Sequence, residues 1–388
     1  MNTSLSPDSM KPIEERLQEA NARFAQRYPG ESGLRQPVHT VYGGAHLFKS
    51  DTAPRMGAMA RQALNDYGAD FTVLARALQL PGADTFPTTS DEVLRVTERL
   101  QRDAEAIKRE SRATWFAWTI HRRVVEKLTQ EPVEDFRIDF EDGYGNRSDA
   151  EEDGHAQAAA SEVVQGMVSG TLPPYIGIRI KPLTEELRRR SLRTLDIFVS
   201  TVVSQTGGKL PANFVIMLPK VVRPEQVAAL ADVFDLLEAT LALTQGTLKM
   251  EMMVETTQSI ISEDGRSNLP LLLEAARGRC IAAHFGTYDY TASCSITAAH
   301  QHMLHPACDF ARHMMQVAFG GTGIWLSDGA TNIMPIAPHR PSLGSSLSPE
   351  QVSENHAVVH RAWKLHFDHI QHSLTNAFYQ GWDLHPAQ

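Results

Sequence analysis

Polar residues recur along the chain at a nearly constant interval, each at the carboxyl end of a short apolar stretch. The intervals run from 34 to 41 residues, a length that fits one strand–helix unit. A polar residue at each strand end is what a (β/α)8 barrel requires, because its active site is built from those ends. The residues are Glu141, Arg179, Lys220, Glu255, Asp289 and Asp328. The series therefore predicts an α/β protein, a TIM (β/α)8 barrel with an extra N-terminal helical region.

The stretches before these residues have the composition of strands. From Phe136 to Gly143 and from Tyr175 to Lys181, apolar and polar residues alternate, as in a strand with two different faces. Phe214 to Leu218 is apolar throughout, as in a strand buried on both faces. A doubly wound open sheet would give a similar period, but no GxGxxG turn follows any of these strands. The barrel is therefore the preferred prediction.

The chain is interpreted as a lead-in followed by one large domain. Residues 1–36 form a polar lead-in with one predicted helix, Ile13 to Tyr28, and residues 37–388 form a single TIM-barrel domain. The first predicted strand is Val38 to Phe48. Residues 91–128 form a long predicted helical region, interrupted at most once. Because this is more helix than one crossover needs, we predict a helical insertion at about 81–132, packed on the outside of the barrel.

The last part of the domain carries its own signals. Residues 335–349 are rich in Pro and Ser and predict a loop or lid. Ser348, Pro349 and Gln351 have the spacing of a helix start, with Ser348 as the N-cap and Gln351 as its capping-box partner. Trp382 to Pro386 is a candidate last strand.

Composition excludes several classes of protein. The net charge of −9 argues against a nucleic-acid partner, which normally meets a basic face. No apolar run approaches the ~20 residues that a membrane span needs, and the first residues lack the apolar core of a secretion signal. The three cysteines form no CxxC pair. These features predict a reduced, cytoplasmic protein with neither a membrane nor a nucleic-acid partner.

Two carboxylates follow neighbouring predicted strands. Glu255 ends the stretch from Met250, and Asp289 follows the stretch that begins at Ile281. Carboxylates at the ends of adjacent parallel strands lie on the same edge of a sheet. Because a hard divalent cation prefers oxygen ligands and keeps several waters, this edge is a predicted metal site.

Five short motifs, in order and at strand–helix spacing, resemble those of a known enzyme superfamily. They are Asp139-Phe140-Glu141-Asp142, Gly177-Ile178-Arg179-Ile180-Lys181-Pro182, Met217-Leu218-Pro219-Lys220-Val221, Val254-Glu255-Thr256 and Phe285-Gly286-Thr287-Tyr288-Asp289. Together they resemble the HpcH/HpaI aldolase and citrate lyase beta-subunit superfamily, with the malyl-CoA lyase-like branch the most similar. The final Gly381 to Gln388 also resembles a late segment of that branch. The resemblance covers residues 136–388.

The resemblance implies a phosphoenolpyruvate/pyruvate-type TIM barrel that uses Mg²⁺, with Mn²⁺ as an alternative, and it makes a homo-oligomer plausible. Carried over by position, it implies the following roles. Glu255 and Asp289 are the metal ligands, Arg179 holds a carboxylate or carbonyl oxygen of the substrate, Gly286 and Lys220 bind substrate, and Glu141 and Asp142 hold metal-bound waters.

Structural roles remain open for some of these residues. For Arg179 the alternative to substrate binding is a purely structural buried salt bridge with Glu141 or Asp139. Lys220 has the alternative of a strand-end ion pair, and Asp328 that of closing a turn with Gly329.

The sequence departs from the family pattern at three places. The N-terminal 130 residues are much longer than the family's usual first strand–helix unit. The arginine expected near the first strand is replaced by Val41-Tyr42-Gly43-Gly44-Ala45-His46, and the residues after Asp142 read Gly-Tyr-Gly-Asn-Arg. In the family these positions bind the larger part of the substrate. A coenzyme A thioester is therefore left open as the substrate.

The function predicted is a carbon–carbon lyase or aldolase that breaks or forms a bond next to a carbonyl, through a metal-stabilised enolate. The substrate would be a 2-oxo or hydroxy acid, or a short acyl-CoA thioester. Asp328, His46 and a metal-bound water are the candidate bases. The alternatives are a phosphotransferase that handles phosphoenolpyruvate or pyruvate at the same metal, and a catalytically silent barrel that binds a metabolite.

Overall fold

Eight parallel strands close into a barrel in the order in which they occur along the chain. The computed structural model describes residues 4–341 and 344–388. The strands are β1 His39–Gly44, β2 Asp135–Asp139, β3 Tyr175–Arg179, β4 Phe214–Leu218, β5 Lys249–Val254, β6 Cys280–Phe285, β7 Trp325–Ala330 and β8 Gln380–Asp383. Pairing of β1 with β8 closes the ring. The predicted fold class is confirmed.

Helices surround the barrel and connect its strands. They are α1 Pro7–Arg27, α2 Thr52–Tyr67, α3 Phe71–Ala77, α4 Ser90–Arg102, α5 Ala104–Glu110, α6 Arg112–Gln130, α7 Asp149–Ser169, α8 Arg188–Thr206, α9 Pro224–Thr240, α10 Thr257–Ile260, α11 Leu269–Ala275, α12 Thr287–Ser293, α13 Pro306–Phe319 and α14 Pro349–Thr375. No helix in the described part of the chain is long and apolar enough to cross a membrane.

The alternation of residues along the strands separates the core from the barrel interior. Ile138, Ile178 and Ile216 are fully buried and belong to the main apolar core, together with residues of the surrounding helices. Arg137, the neighbour of Ile138, faces the other way. Its Nη2 lies 2.6 Å from Oε2 of Glu251, and because β2 and β5 are not neighbours, this ion pair crosses the interior of the barrel. The interior therefore carries buried charge.

The helices between β1 and β2 are more broken than predicted. The region from residue 91 to 128 was expected to be interrupted at most once, but it is interrupted twice, at Asp103 and Ser111. The Asp103 side chain accepts from the N–H of Ala106, and the Ser111 hydroxyl accepts from the N–H of Thr114. Each residue thus starts a new helix as an N-cap.

Several predicted boundaries shift. The lead-in helix begins at Pro7 rather than Ile13, because the Ser6 hydroxyl caps it. Strand β1 ends at Gly44 and is followed by a 3-10 turn, Ala45–Leu47. Of the predicted loop or lid at 335–349, positions 342 and 343 lie outside the described residues, and Pro349 already begins α14. The predicted capping box of Ser348 and Gln351 is confirmed.

Candidate active site

Five of the six residues in the polar series lie at the carboxyl ends of their strands. Arg179 is the last residue of β3, and Glu255 directly follows β5. Glu141 and Lys220 lie just past β2 and β4, and Asp289 lies in the first turn of α12, after β6. In a closed parallel barrel these positions share one rim, where barrel enzymes have their active sites. We call this rim the mouth.

Arg179 is held rigidly by Asp139. Its Nε donates to Asp139 Oδ1 at 2.7 Å and its Nη2 donates to Oδ2 at 2.6 Å, so the pair is bidentate. Nη1 lies 3.2 Å from Oε2 of Glu141. Burial of the guanidinium lowers the pKa of Arg179, but the hydrogen bond to Asp139 and the charges of Asp139 and Glu141 together hold the pKa above its ordinary value. Both salt bridges that the sequence left open are thus present.

Lys220 ties the acidic residues of the mouth together. Its Nζ lies 3.0 Å from Oδ2 of Asp289 and 3.3 Å from Oδ2 of Asp142, and it donates to Oε1 of Glu141. Its backbone N–H donates to Oε1 of Glu255 at 2.6 Å. The backbone of Lys220 has a φ of +49°, a left-handed conformation that is uncommon outside glycine. The strand-end ion pair foreseen for Lys220 is therefore present.

Two carboxylates at the mouth, those of Glu255 and Glu141, have raised pKa values. Burial raises the pKa of Glu255 to about 8, and the charge of Asp289 adds to the effect. Burial also raises the pKa of Glu141 to about 7, although the charges of Arg179 and Lys220 lower it. Acidic groups with such pKa values at a strand-end cluster are typical of functional sites.

Gly286 leaves room for Glu255. A Cβ atom at position 286 would lie 2.5 Å from Cβ of Glu255 and 2.7 Å from its Oε2, which is too close for any other residue. The predicted substrate-binding role of Gly286 therefore stays a prediction, whereas its contact with Glu255 explains why the position is glycine.

The acidic residues of the mouth fit Mg²⁺ and do not fit a closed metal cage. Burial raises the pKa of Glu255, and the charge of Asp289 raises it further, so a cation there would stabilise the ionised carboxylate. Within residues 4–341 and 344–388, no group of three or more His, Cys, Asp or Glu side chains is arranged to hold a metal. Proteins usually bind Mg²⁺ with one or two carboxylates, and water and substrate supply its other ligands. Glu255 and Asp289 would hold it.

Asp328 lies inside β7, so the predicted turn at Asp328 and Gly329 is wrong. Its carboxylate accepts from Arg312 Nε at 2.9 and 3.0 Å and from the Ser373 hydroxyl at 2.5 Å. Arg312 and Ser373 belong to helices α13 and α14, so Asp328 points outward from the barrel wall. This pairing disfavours Asp328 as a base.

His46, the other candidate base, lies in the 3-10 turn after β1. Its ring centroid is 5.6 Å from that of Tyr144 and 6.2 Å from that of His155. Burial lowers the pKa of His46, and the charges of Arg147 and His155 lower it further. The imidazole is therefore neutral at pH 7.

Sequence reasoning missed two aromatic residues at the mouth. Cζ of Arg179 lies 4.8 Å from the ring centroid of Tyr42 and 5.6 Å from that of Trp382, and the two rings are 4.2 Å apart. Tyr42 stands in the segment that replaces the family's arginine, which was the available signal. Trp382 lies on the neighbouring β8, and only strand pairing brings it to Arg179.

A cavity of about 980 Å³ lies at the opposite end of the barrel. Strand starts line it, among them Phe214, Lys249 and Cys280, together with Arg23 and Arg27 of α1. Its size does not make it the active site, because the residues with the chemistry for catalysis are at the other rim.

A family model described as "Domain of unknown function (DUF6986)" matches residues 17–388. The chain belongs to the DUF6986 family. This match includes every strand of the barrel and the whole mouth. A search of curated proteins finds no match to this DUF6986 chain.

Solved structures with some similarity to this DUF6986 protein include a citrate lyase from Burkholderia xenovorans LB400. It is 18% identical, the match covers 69% of this chain and 70% of that one, and the TM-score is 0.46. Malate synthase from Haloferax volcanii in a magnesium/glyoxylate complex is 16% identical, with 66% and 63% covered and a TM-score of 0.43. Its pyruvate/acetyl-CoA ternary complex is 14% identical, with 66% and 58% covered and a TM-score of 0.40.

The DUF6986 chain thus spans less than two thirds of the length of these malate synthase structures. All three TM-scores are below 0.5, so the barrel is assigned from the strand order of the chain itself.

Proposed function

We propose that this protein is a Mg²⁺-dependent carbon–carbon lyase or aldolase that acts next to a carbonyl group. One observation carries the proposal: two cations and two acids share the barrel mouth. Lys220 contacts both Glu255 and Asp289, and Arg179 is fixed at the same rim by Asp139. Breaking a carbon–carbon bond beside a carbonyl leaves negative charge on an oxygen. A fixed positive charge aimed at that oxygen lowers the barrier.

Mg²⁺ held by Glu255 and Asp289 would supply a Lewis acid for that oxygen. The other residues divide the remaining work. The guanidinium of Arg179 would bind the same substrate oxygen, and its bidentate bond to Asp139 fixes its orientation. Glu141 is a better candidate than His46 for moving a proton, because its pKa of about 7 suits acid–base catalysis near neutral pH.

The remaining parts of the proposal concern setting and substrate. We place the protein in the cytoplasm, as the cysteine usage suggests, and expect a homo-oligomer from the family resemblance. The substrate is a small oxo or hydroxy acid, with a coenzyme A thioester as the alternative. Mn²⁺ would replace Mg²⁺ with retention of activity, since both accept carboxylate ligands.

Calorimetric titration with Mg²⁺ tests the metal site. Glu255→Gln and Asp289→Asn should each weaken Mg²⁺ binding about tenfold or more, because each removes one of two charged ligands. For the wild type, affinity should rise as the pH approaches 8, since the proton on Glu255 competes with the metal.

Asp232→Asn is the matched control, because Asp232 is an exposed partner of Arg277 on the outside of the barrel. It should leave Mg²⁺ affinity unchanged. Full Mg²⁺ affinity in both Glu255→Gln and Asp289→Asn would show that the site is assigned to the wrong residues.

A further inference from the structure

Three basic side chains lie together at the β1–β2 side of the mouth. They are His46, Arg147 and His155, and we call them the basic cluster. The His46 and His155 ring centroids are 6.2 Å apart, and Arg147 is close enough for its charge to affect the titration of His46. The cluster thus places the positive charge of Arg147 and two imidazole rings on one side of the mouth.

Two polar atoms of the basic cluster are buried without a partner in the described part of the chain. They are Nε of Arg147 and Nδ1 of His46. Within the described residues, the Arg147 guanidinium has neither a hydrogen bond nor an ion pair, and its Cζ lies 4.8 Å from the ring centroid of Tyr144. A buried donor without an acceptor is costly, so such groups are usually satisfied by a ligand or by water.

The basic cluster is held in place by Tyr144. This tyrosine is 4% exposed, and its hydroxyl lies 2.8 Å from Nδ1 of His155. Its ring also lies 4.9 Å from Nζ of Lys181. The side chains of the basic cluster therefore pack around a buried aromatic residue, which reduces the entropy lost when a ligand binds.

The acids near the basic cluster are already engaged. Glu152 lies 2.8 Å from Lys181 Nζ and accepts from the Thr194 hydroxyl at 2.6 Å. Glu151 accepts from the N–H and the hydroxyl of Ser148 in the capping box of α7. Neither forms an ion pair with Arg147, although the pKa of Glu151 is lowered by its hydrogen bonds to Ser148 and further by the charges of Arg147 and His155.

The basic cluster adjoins the proposed catalytic residues. A Cβ on Gly44 would collide with the carbonyl oxygen of Gly143 and with the His46 ring, so strand β1 and the loop after β2 are in direct contact. The N–H of Gly143 donates to Oδ2 of Asp139 at 2.7 Å, and that oxygen also accepts from Arg179. One loop thus connects the cluster to the arginine that would hold the reacting end of the substrate.

We infer that His46, Arg147 and His155 form a second anion subsite, which binds a carboxylate or phosphate at the far end of the substrate. The inference rests on the proposed function, in which Arg179 and the metal hold the first anionic group. Arg147 presents the planar donors that match either oxyanion. The substrate class then narrows to acids with two separated anionic groups.

Anion binding without metal tests the subsite by itself. Inorganic phosphate and succinate would be titrated into the protein in the presence of a chelator and followed by calorimetry. Arg147→Gln and His46→Asn should each weaken binding of the preferred anion, Arg147→Gln by about tenfold or more. Tighter binding of phosphate would identify a phosphorylated substrate, and tighter binding of succinate a dicarboxylate.

Arg123→Gln is the matched control, because Arg123 is an exposed arginine of α6. Equal affinity in the wild type, Arg147→Gln and His46→Asn would overturn the subsite, as would an equal loss in Arg123→Gln or no anion binding by the wild type.

A second measurement separates this inference from the proposed function. With Mg²⁺ present, Arg147→Gln should raise the KM for a substrate with two anionic groups and leave the KM for pyruvate-sized monoanions unchanged. If anions bind through Arg147 but no lyase activity exists, the subsite stands and the proposed function falls. If activity exists and Arg147→Gln affects both substrate classes equally, the subsite is wrong and the function stands.

Discussion

Arg179 is the residue on which the proposed chemistry most depends. Its bidentate pair with Asp139 fixes the direction of the guanidinium. Lysine would keep the charge but lose the planar fork. Arg179→Lys should therefore lower kcat/KM about a hundredfold while circular dichroism shows a folded protein. Alanine is less informative, because it would leave Asp139 buried without its partner.

Arg190→Lys provides the control for that substitution. Arg190 is a buried arginine that pairs with Asp153 between helices α7 and α8, outside the barrel. Its replacement should affect stability and leave kcat/KM unchanged. An unchanged kcat/KM in Arg179→Lys would remove Arg179 from the mechanism.

His369 makes the stability of the protein sensitive to acid. Burial lowers the pKa of His369 to about 4, and the charge of His366 lowers it further. Its folded pKa is thus below its unfolded value of 6.5, so its contribution to stability is complete above pH 6.5 and is lost as the pH falls toward 4. The loss amounts to about 3 kcal/mol at most.

Urea denaturation of the wild type and His369→Gln across pH 4 to 7 measures this effect. The free energy of unfolding should fall less steeply with acid in His369→Gln than in the wild type. Identical slopes would show that His369 does not titrate differently in the folded state.

At the residue scale, the sequence correctly placed five of the six residues of the polar series at the mouth, but it did not show how they pair. The alternation in β2 placed Asp139 and Glu141 on the same face, so both were possible partners for Arg179. In the folded barrel, Asp139 makes the bidentate bond. Asp328 was wrongly placed at a strand end, because its strand was predicted to stop before it. Strand β7 continues to Ala330, which puts Asp328 inside the strand and on its outer face.

At the scale of elements, strands β3 and β4 leave no room for a side chain at Gly177. A Cβ at this position would overlap the backbone carbonyl oxygen of Val215, its partner on β4. Gly177→Ala must therefore push the two strands apart. We expect a loss of at least ~2 kcal/mol in the free energy of unfolding, measured by urea denaturation.

Gly154→Ala serves as the comparison, because Gly154 lies in α7 with open space where a Cβ would be. That variant should be more stable than the wild type by up to ~1 kcal/mol, since alanine favours helix. A Gly177→Ala protein as stable as the wild type would mean that β3 and β4 are not packed as described.

Helix boundaries were predictable where the capping signal is specific and were missed where it is weak. Ser348, Pro349 and Gln351 combine a cap, a first-turn proline and a capping-box partner, and all three have those roles in α14. Asp103 and Ser111 are single polar residues within a strongly helical stretch. Nothing in the local pattern distinguishes such a cap from an exposed helical residue.

For the molecule as a whole, the closed barrel followed from the spacing of the strands, because each strand–helix unit has nearly the same length. The charged interior did not. Arg137 lies between Asp135 and Glu251, and Glu251 also lies 3.3 Å from Nε2 of His284. These residues come from three strands, so their pairing depends on barrel closure.

The central claim is that the barrel mouth carries out Mg²⁺-dependent carbon–carbon chemistry. The most direct test incubates hydroxy acids and their coenzyme A thioesters with the wild type and Glu255→Gln, with and without Mg²⁺. Pyruvate, glyoxylate, oxaloacetate and acetyl-CoA are assayed as products. The account predicts release of an oxo acid that requires Mg²⁺ and is lost in Glu255→Gln. Tight Mg²⁺ and oxo-acid binding without turnover of any substrate would contradict it and favour a phosphotransferase or a silent binding protein.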